Sequence, residues 1–242
     1  MKKYLEAVNL EKKYRKKHVV RNVSLHVHSG EIVGLLGPNG AGKTTTFSMI
    51  IGLIPMDGGS VQLDGKDITR LPMYLRSRQG MCLLPQEPSA FRKLTVEDNL
   101  RAVRESIRDR AGEKNHNIHE ILKELGLTAL AGAKAVTLSG GERRRLEIAR
   151  ALVTDPEFIL LDEPFTGIDP LAVTDLQNII CGLKDKGMGL LITDHSVRET
   201  LKITDRAYII DKGEVLIEGS PESIVRSIDV KKSYLGEEFD LD

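Results

Sequence analysis

Gly37-Pro38-Asn39-Gly40-Ala41-Gly42-Lys43-Thr44 has the spacing G-x-x-x-x-G-K-[ST] of a phosphate-binding loop. Both flanks fit. Ile32-Val33-Gly34-Leu35-Leu36 reads as a short buried strand, and residues 44–51 read as a helix stopped by Gly52 and Pro55. Glycines let successive backbone N–H groups turn inward as an anion nest, and the helix N-terminus that follows adds partial positive charge. In such a loop Lys43 reaches the β- and γ-phosphates of a nucleotide, and the Thr44 hydroxyl ligates Mg²⁺. A chance glycine turn before a lysine would explain neither flank.

Working outward, residues 5–36 alternate apolar and polar positions, as at Val20, Val23, Leu25 and Val27, and read as antiparallel strands with a turn at Ser29-Gly30. Val61-Gln62-Leu63-Asp64-Gly65-Lys66-Asp67 is a further strand with an Asp-Gly turn. The basic run Glu11-Lys12-Lys13-Tyr14-Arg15-Lys16-Lys17-His18 has two readings: a solvated loop, or a platform on which Tyr14 stacks an adenine. Downstream, charge and helical spacing rise over residues 95–123, which suggests an inserted helical subdomain. Strand signals return at Phe158-Ile159-Leu160-Leu161, Leu190-Leu191-Ile192 and Ala207-Tyr208-Ile209-Ile210. Between the first two, Asp169 and Pro170 open a helix with Leu176, Ile179, Ile180 and Leu183 at helical spacing. Strands separated by helices argue for a mainly parallel sheet.

Chemistry-bearing residues cluster at the ends of these strands, the edge where open α/β sheets bind ligands. Gln86, in Pro85-Gln86-Glu87-Pro88, can offer an amide oxygen to Mg²⁺ and sense a γ-phosphate. Asp162 and Glu163 end an apolar run. Asp162 would hold Mg²⁺, directly or through water, and Glu163 would polarise the attacking water. His195 follows another such run and suits a γ-phosphate contact, while Ser196 and Glu199 have capping-box spacing. Ser139 and Glu142 share that spacing, ahead of a helix with Leu146, Ala149 and Leu152 on one side. A cap does not call for Gly140 and Gly141, which cost about 1 kcal/mol each in a helix. They make sense where another backbone or a phosphate approaches closely.

The chain has 242 residues, 35 basic and 35 acidic side chains and two cysteines. The balanced charge gives no support to a nucleic-acid partner. Cys82 and Cys181 lack metal-type spacing and read as buried thiols. No apolar stretch reaches the roughly 18 residues of a membrane span, and the N-terminus lacks a signal-peptide core. A membrane role is expected through a partner.

With these residues in this order, the chain resembles the ABC-type ATPases over nearly its whole length. Gly37 to Thr44 is similar to the Walker A loop, Gln86 to the Q-loop and Ser139 to Glu142 to the signature. Phe158 to Glu163 is similar to the Walker B strand with the catalytic glutamate, Ile168-Asp169 to the D-loop and His195 to the switch histidine. The resemblance implies an α/β P-loop NTPase (RecA-like) core with an antiparallel β subdomain and an inserted α-helical subdomain. It places core and β subdomain at residues 1–86 and 155–225, the helical part at 87–154 and a C-terminal tail at 226–242. It implies ATP and Mg²⁺, with Glu163, His195 and Lys43 catalytic and Thr44, Gln86 and Asp162 at the metal. Nucleotide contacts fall to Tyr14, Gly37, Pro38, Asn39, Gly40, Ala41, Gly42, Lys43, Thr44, Thr45, Gln86 and Asp162. Ser139, Gly140 and Gly141 would complete the site on ATP held by a second copy, packed head to tail.

Arg143-Arg144-Arg145, the stretch from Leu191 to Leu201 and Tyr234-Leu235-Gly236 carry a narrower resemblance, to the ATP-binding subunits of lipopolysaccharide exporters. It implies a cytoplasmic subunit on the inner membrane, docked to integral membrane partners through residues 86–94. There Phe91, Leu94 and Arg92 would anchor the partner, or Phe91 would pack on the helical subdomain. ATPases of branched-chain amino-acid importers are similar too. A non-transport ABC ATPase acting on DNA or the ribosome usually has a long coiled-coil insertion or a doubled core, and this sequence has neither. Thr166-Gly167-Ile168-Asp169 departs from the Ser-Ala-Leu-Asp of many members. For the tail, two readings stand: disorder, or packing of Tyr234, Leu235 and Phe239 on a neighbouring subunit.

Overall fold

The computed structural model describes residues 2–107, 117–236 and 239. The alternating N-terminal residues form two long strands, β1 (Tyr4–Tyr14) and β2 (Lys17–His28). They pair antiparallel through a turn at Arg15-Lys16, with Tyr14 opposite Lys17. Strands β4 (Gly58–Leu63) and β5 (Lys66–Asp67), joined by Asp64-Gly65, extend this sheet to the order β2-β1-β4-β5. One face, with Leu5, Ala7, Leu10, Val20, Val23 and Val61, is fully buried.

The expectation that residues 5–36 form antiparallel strands throughout is corrected at β3 (Ile32–Leu36). All five of its residues are buried, and it lies between β8 (Gly189–Thr193) and β9 (Arg206–Asp211), parallel to both. The physical reason is its pattern. A continuous apolar run with no polar face belongs in the middle of a parallel sheet covered on both sides. That second sheet has the order β10-β9-β3-β8-β7-β6. Its other members are β6 (Met81–Leu84), β7 (Phe158–Asp162) and β10 (Glu214–Gly219), the last antiparallel to β9.

Helix α1 (Lys43–Ile51) follows β3 and stops at Gly52, which adopts φ 82°. Its terminal carbonyls are closed by Arg76 of α2 (Met73–Arg78), a buried guanidinium that donates to Met49 O at 2.9 Å and Ile50 O at 2.5 Å. Between β6 and β7 lie α3 (Val96–Ile107), α4 (Ile118–Glu124) and α5 (Gly140–Leu152). Their buried Leu100, Ile121 and Leu146 share one cluster with Leu84, Ile159 and Leu161 of the sheet and Leu176 of α6 (Pro170–Asp185). Each such leucine stabilises the join by about 1.5–3 kcal/mol.

α7 (Val197–Leu201) joins β8 to β9, and beyond β10 come α8 (Pro221–Arg226), α9 (Ile228–Val230) and a π-type turn at Lys231–Leu235. Tyr234, Leu235 and Phe239 pack on Leu36, Leu201, Ile209, Ile224 and Val230 of their own chain, and the Arg198 guanidinium lies 5.6 Å from the Phe239 ring centroid. An apolar cluster already stands at the end of β3 and β9, so these side chains bury at home. Residues 237, 238 and 240–242 of the expected tail, and 108–116 of the expected helical part, lie outside the described residues.

Candidate functional site

The phosphate loop leaves the central strand β3 and is pressed against its neighbours. A Cβ on Gly37 would lie 2.0 Å from Ile210 O, and one on Gly42 would lie 2.8 Å from Val19 O. Only glycine lets the loop sit this close to β9 and β2. Lys43 is 6% exposed, and its ammonium donates to Gly37 O at 2.6 Å and Pro38 O at 3.1 Å. Burial holds its pKa down, while Glu163, Asp162 and Asp194 oppose that shift. Thr44 is exposed and Thr45 half-buried at the start of α1. Tyr14, 48% exposed at the end of β1, has the Lys12 ammonium 5.5 Å from its ring centroid. Val19, in the strand that pairs with Tyr14's own, supports the loop, so the Tyr14 hairpin and the loop share one scaffold. Tyr234, not expected here, is mostly buried against the loop's first residue. Burial pushes its hydroxyl up to about 12, opposed by a hydrogen bond with the Gly37 backbone.

Three parallel strands deliver a second group. Gln86 lies two residues past β6, Glu163 one past β7 and His195 two past β8. Glu163 has φ 47°, a left-handed turn that swings it off the strand, and its N–H donates to Thr193 O at 2.7 Å. Its carboxylate, 10% exposed, is the centre of the group. Oε1 lies 2.7 Å from His195 Nε2, and Oε2 accepts from Gln86 Nε2 at 2.7 Å and Thr166 Oγ1 at 3.3 Å. His195 is half-exposed.

Asp162 stands beside Glu163 with its carboxyl pKa raised, first by burial and then by the Glu163 charge, while Arg144 opposes the shift. A desolvated carboxylate next to another carboxylate is a place for a cation. Asp162, the exposed Thr44 hydroxyl and the Gln86 amide oxygen, whose NH₂ is spent on Glu163, are oxygen donors of the kind Mg²⁺ takes. No group of three or more His, Cys, Asp or Glu stands ready to cage a metal among the described residues.

Two acidic residues escaped sequence reasoning. Asp194 is fully buried, with Oδ2 accepting from Phe165 N at 2.9 Å and Oδ1 from Ser196 N at 2.7 Å. It thereby ties the loop after Glu163 to the loop bearing His195. It also corrects the capping box expected from Ser196 to Glu199: the Ser196 side chain makes no cap bond, and Glu199 Oε2 accepts from Gln177 Nε2 at 2.8 Å instead. An Asp followed two residues later by Ser is the readable signal, since an Asp side chain commonly accepts from that N–H. Glu147 accepts from Ser89 N at 2.7 Å and pairs with Arg144 Nη1 at 2.9 Å. Arg144, also buried, donates to Pro85 O at 2.8 Å, so α5 braces the segment carrying Gln86.

Ser139 caps α5 in a full capping box with Glu142. A Cβ on Gly141 would lie 2.7 Å from that of Ala172, so this glycine has a partner in its own chain, whereas Gly140 meets nothing nearer than 3.4 Å. Among the described residues, neither Ser139 nor its glycines hydrogen-bond to the phosphate loop or to the Glu163 group. In the 86–94 segment, Phe91 is 48% exposed, its main chain is held by the Asn99 side chain, and the Arg150 guanidinium lies 4.7 Å from its ring centroid. Leu94 is exposed beside it. Among the described residues, no helix is long and apolar enough to cross a membrane.

Comparison with known proteins adds three findings. The family model described as ABC transporter matches residues 20–166. The lipopolysaccharide export system ATP-binding protein LptB of Escherichia coli K12 is 52% identical over 239 residues, covering 98% of this chain and 99% of that protein. LptB of Acidithiobacillus ferridurans is 53% identical over the whole of both chains, and an uncharacterised ABC transporter ATP-binding protein of Rhizobium meliloti is 55% identical, covering 98% of this chain and 88% of its own. Among solved structures, the ADP conformation of MJ1267, an ATP-binding cassette of an ABC transporter, superposes with a TM-score of 0.88 at 30% identity, covering 98% of this chain and all of that one.

Proposed function

Because this chain belongs to the ABC transporter ATP-binding proteins, which couple ATP hydrolysis to transport, we propose that it drives lipopolysaccharide export, with Glu163 as general base. The observation that carries the reading of the site is the Glu163 carboxylate, shielded from solvent and bonded to both Gln86 and His195. Glu163 takes a proton from water as its oxygen attacks the γ-phosphorus. The bond to the β–γ bridging oxygen breaks, leaving ADP and phosphate. Lys43 exchanges its two carbonyl partners for β- and γ-phosphate oxygens, and His195 contacts the γ-phosphate. The other nucleotide contacts fall to Tyr14, Gly37, Pro38, Asn39, Gly40, Ala41, Gly42, Thr44 and Thr45. Thr44, Gln86 and Asp162 would hold Mg²⁺, which would supply charge neutralisation at the phosphates.

Ser139, Gly140 and Gly141 serve a second copy's ATP in a head-to-tail dimer. Integral membrane subunits dock on residues 86–94 at the cytoplasmic face of the inner membrane, supported by Phe91, which remains 48% exposed with the Arg150 guanidinium of α5 over its ring. The choice of cargo rests on the LptB relatives, at 52% and 53% identity over almost the full chain. Affinity isolation from membranes tests it. Recovery of lipopolysaccharide-export subunits is expected, and recovery of amino-acid permeases in their place would refute the cargo while leaving the ATPase intact.

A further inference from the structure

The turn between β9 and β10 carries Lys212 and Gly213, with φ 49° and 86°. These are the paired left-handed conformations of a two-residue hairpin turn. Gly213 is tied on both sides by its main chain. Its N–H donates to the Ala41 carbonyl at 2.9 Å, and its own carbonyl accepts the Arg21 N–H of β2 at 2.7 Å. The hairpin therefore links the antiparallel sheet to the middle of the phosphate loop. A trans peptide points its N–H away from its C=O. The unit joining Ala41 to Gly42 has its oxygen turned onto Gly213, so the Gly42 N–H points away from Gly213, as an anion nest in this loop requires. A side chain cannot share the position: a Cβ on Gly213 would lie 2.5 Å from Val19 O.

We infer that Gly213 is a positioning residue for the nucleotide: its N–H fixes the Ala41–Gly42 peptide so that the Gly42 N–H faces the phosphates. This rests on the loop being the ATP site and deepens it, because the contribution is to the polyphosphate and not to the base. The loop's own glycines give it freedom to turn. Gly213 selects one orientation from that freedom.

The test compares two full-length variants with equal steric insult. Gly213→Ala is set beside Gly59→Ala, since Gly59 has φ 88° and its Cβ would lie 2.4 Å from Asn9 O, in β4 and without a bond to the loop. Thermal unfolding, the Kd for ATP and the shift of the Gly42 amide resonance on adding ATP are measured for both. Gly213→Ala should weaken ATP by about tenfold, the effect of one hydrogen bond to a charged group, and blunt the Gly42 response. Gly59→Ala, with a comparable loss of thermal stability, should bind ATP within about twofold of the parent. Near-parental affinity in Gly213→Ala, an unchanged Gly42 response, or equal losses in the two variants would overturn the proposal. A parent whose Gly42 amide ignores ATP would overturn the loop assignment and this inference with it. Should Gly213→Ala not fold, an ester in place of the Gly213 amide deletes the N–H alone and is read by the same outcomes.

Discussion

The phosphate loop and the Glu163 group stand at neighbouring strand ends, yet one is shaped by main chain and the other by side chains. The loop is wedged between Ile210 O and Val19 O, and Ala41 O is held by Gly213. These contacts leave no rotamer to change. The Glu163 carboxylate, by contrast, is held by Gln86, His195 and Thr166, each on a rotatable side chain. The difference teaches how binding and turnover can be separate. A cradle fixed by backbone is ready before its anion arrives, while a carboxylate held by exchangeable partners can be released to water once those partners find phosphate.

The sharpest way to break the comparison is at Glu163. Glu163→Gln keeps an isosteric hydrogen-bonding group but no base, and phosphate release should fall by about 10³-fold with ATP affinity nearly unchanged. Turnover close to the parent's would mean that another group takes the proton. Next in size is Asp194→Ala, which orphans the buried Phe165 N–H and Ser196 N–H. Unfolding by urea should show a loss of about 2–4 kcal/mol, and a loss below the error of the method would show that Asp194 does not brace the two loops. His195→Ala should cost about 10²-fold in kcat and less in ATP affinity; a change confined to affinity would move His195 to the fixed half.

Asp162→Asn gives the smallest effect and separates stability from activity. Its carboxyl pKa is raised in the fold, so the folded state binds the proton more tightly than the unfolded chain. That contribution to stability is complete below the ordinary aspartate range and is lost as pH rises through the raised value. Near neutral pH the ionised carboxylate is a burden on the nucleotide-free protein. Asp162→Asn should therefore raise its Tm at neutral pH, while Mg²⁺-dependent hydrolysis falls. The gain should disappear in acid. A Tm that drops at neutral pH would show that the carboxylate is already compensated without a metal.

Much of this was legible beforehand because its signals are local. The glycine spacing of residues 37–44, the Asp169-Pro170 helix start and the Ser139–Glu142 box each act within a few residues, and the structure has each in place. Pairing partners are not local. Nothing around residue 32 says that β3 will neighbour strands near residues 190 and 206, and its continuous apolar pattern was the one hint that it would leave the antiparallel sheet. The same holds for Tyr234 and Phe239, which pack against a cluster that includes Leu36 and Leu201, far from them in sequence. Asp194 was overlooked because a neighbouring histidine drew the chemical reading, although the geometry gives the buried bonds to the aspartate.

The Gly213 contact also sets a timetable for synthesis. The phosphate loop leaves the ribosome some 170 residues ahead of the β9 end and the turn that hold it. At about 5–20 residues per second, the nascent loop waits on the order of ten to thirty seconds for its supports. During that interval the chain carries a nucleotide motif without a nucleotide site, and the exposed β3 is a segment that chaperones would be expected to guard.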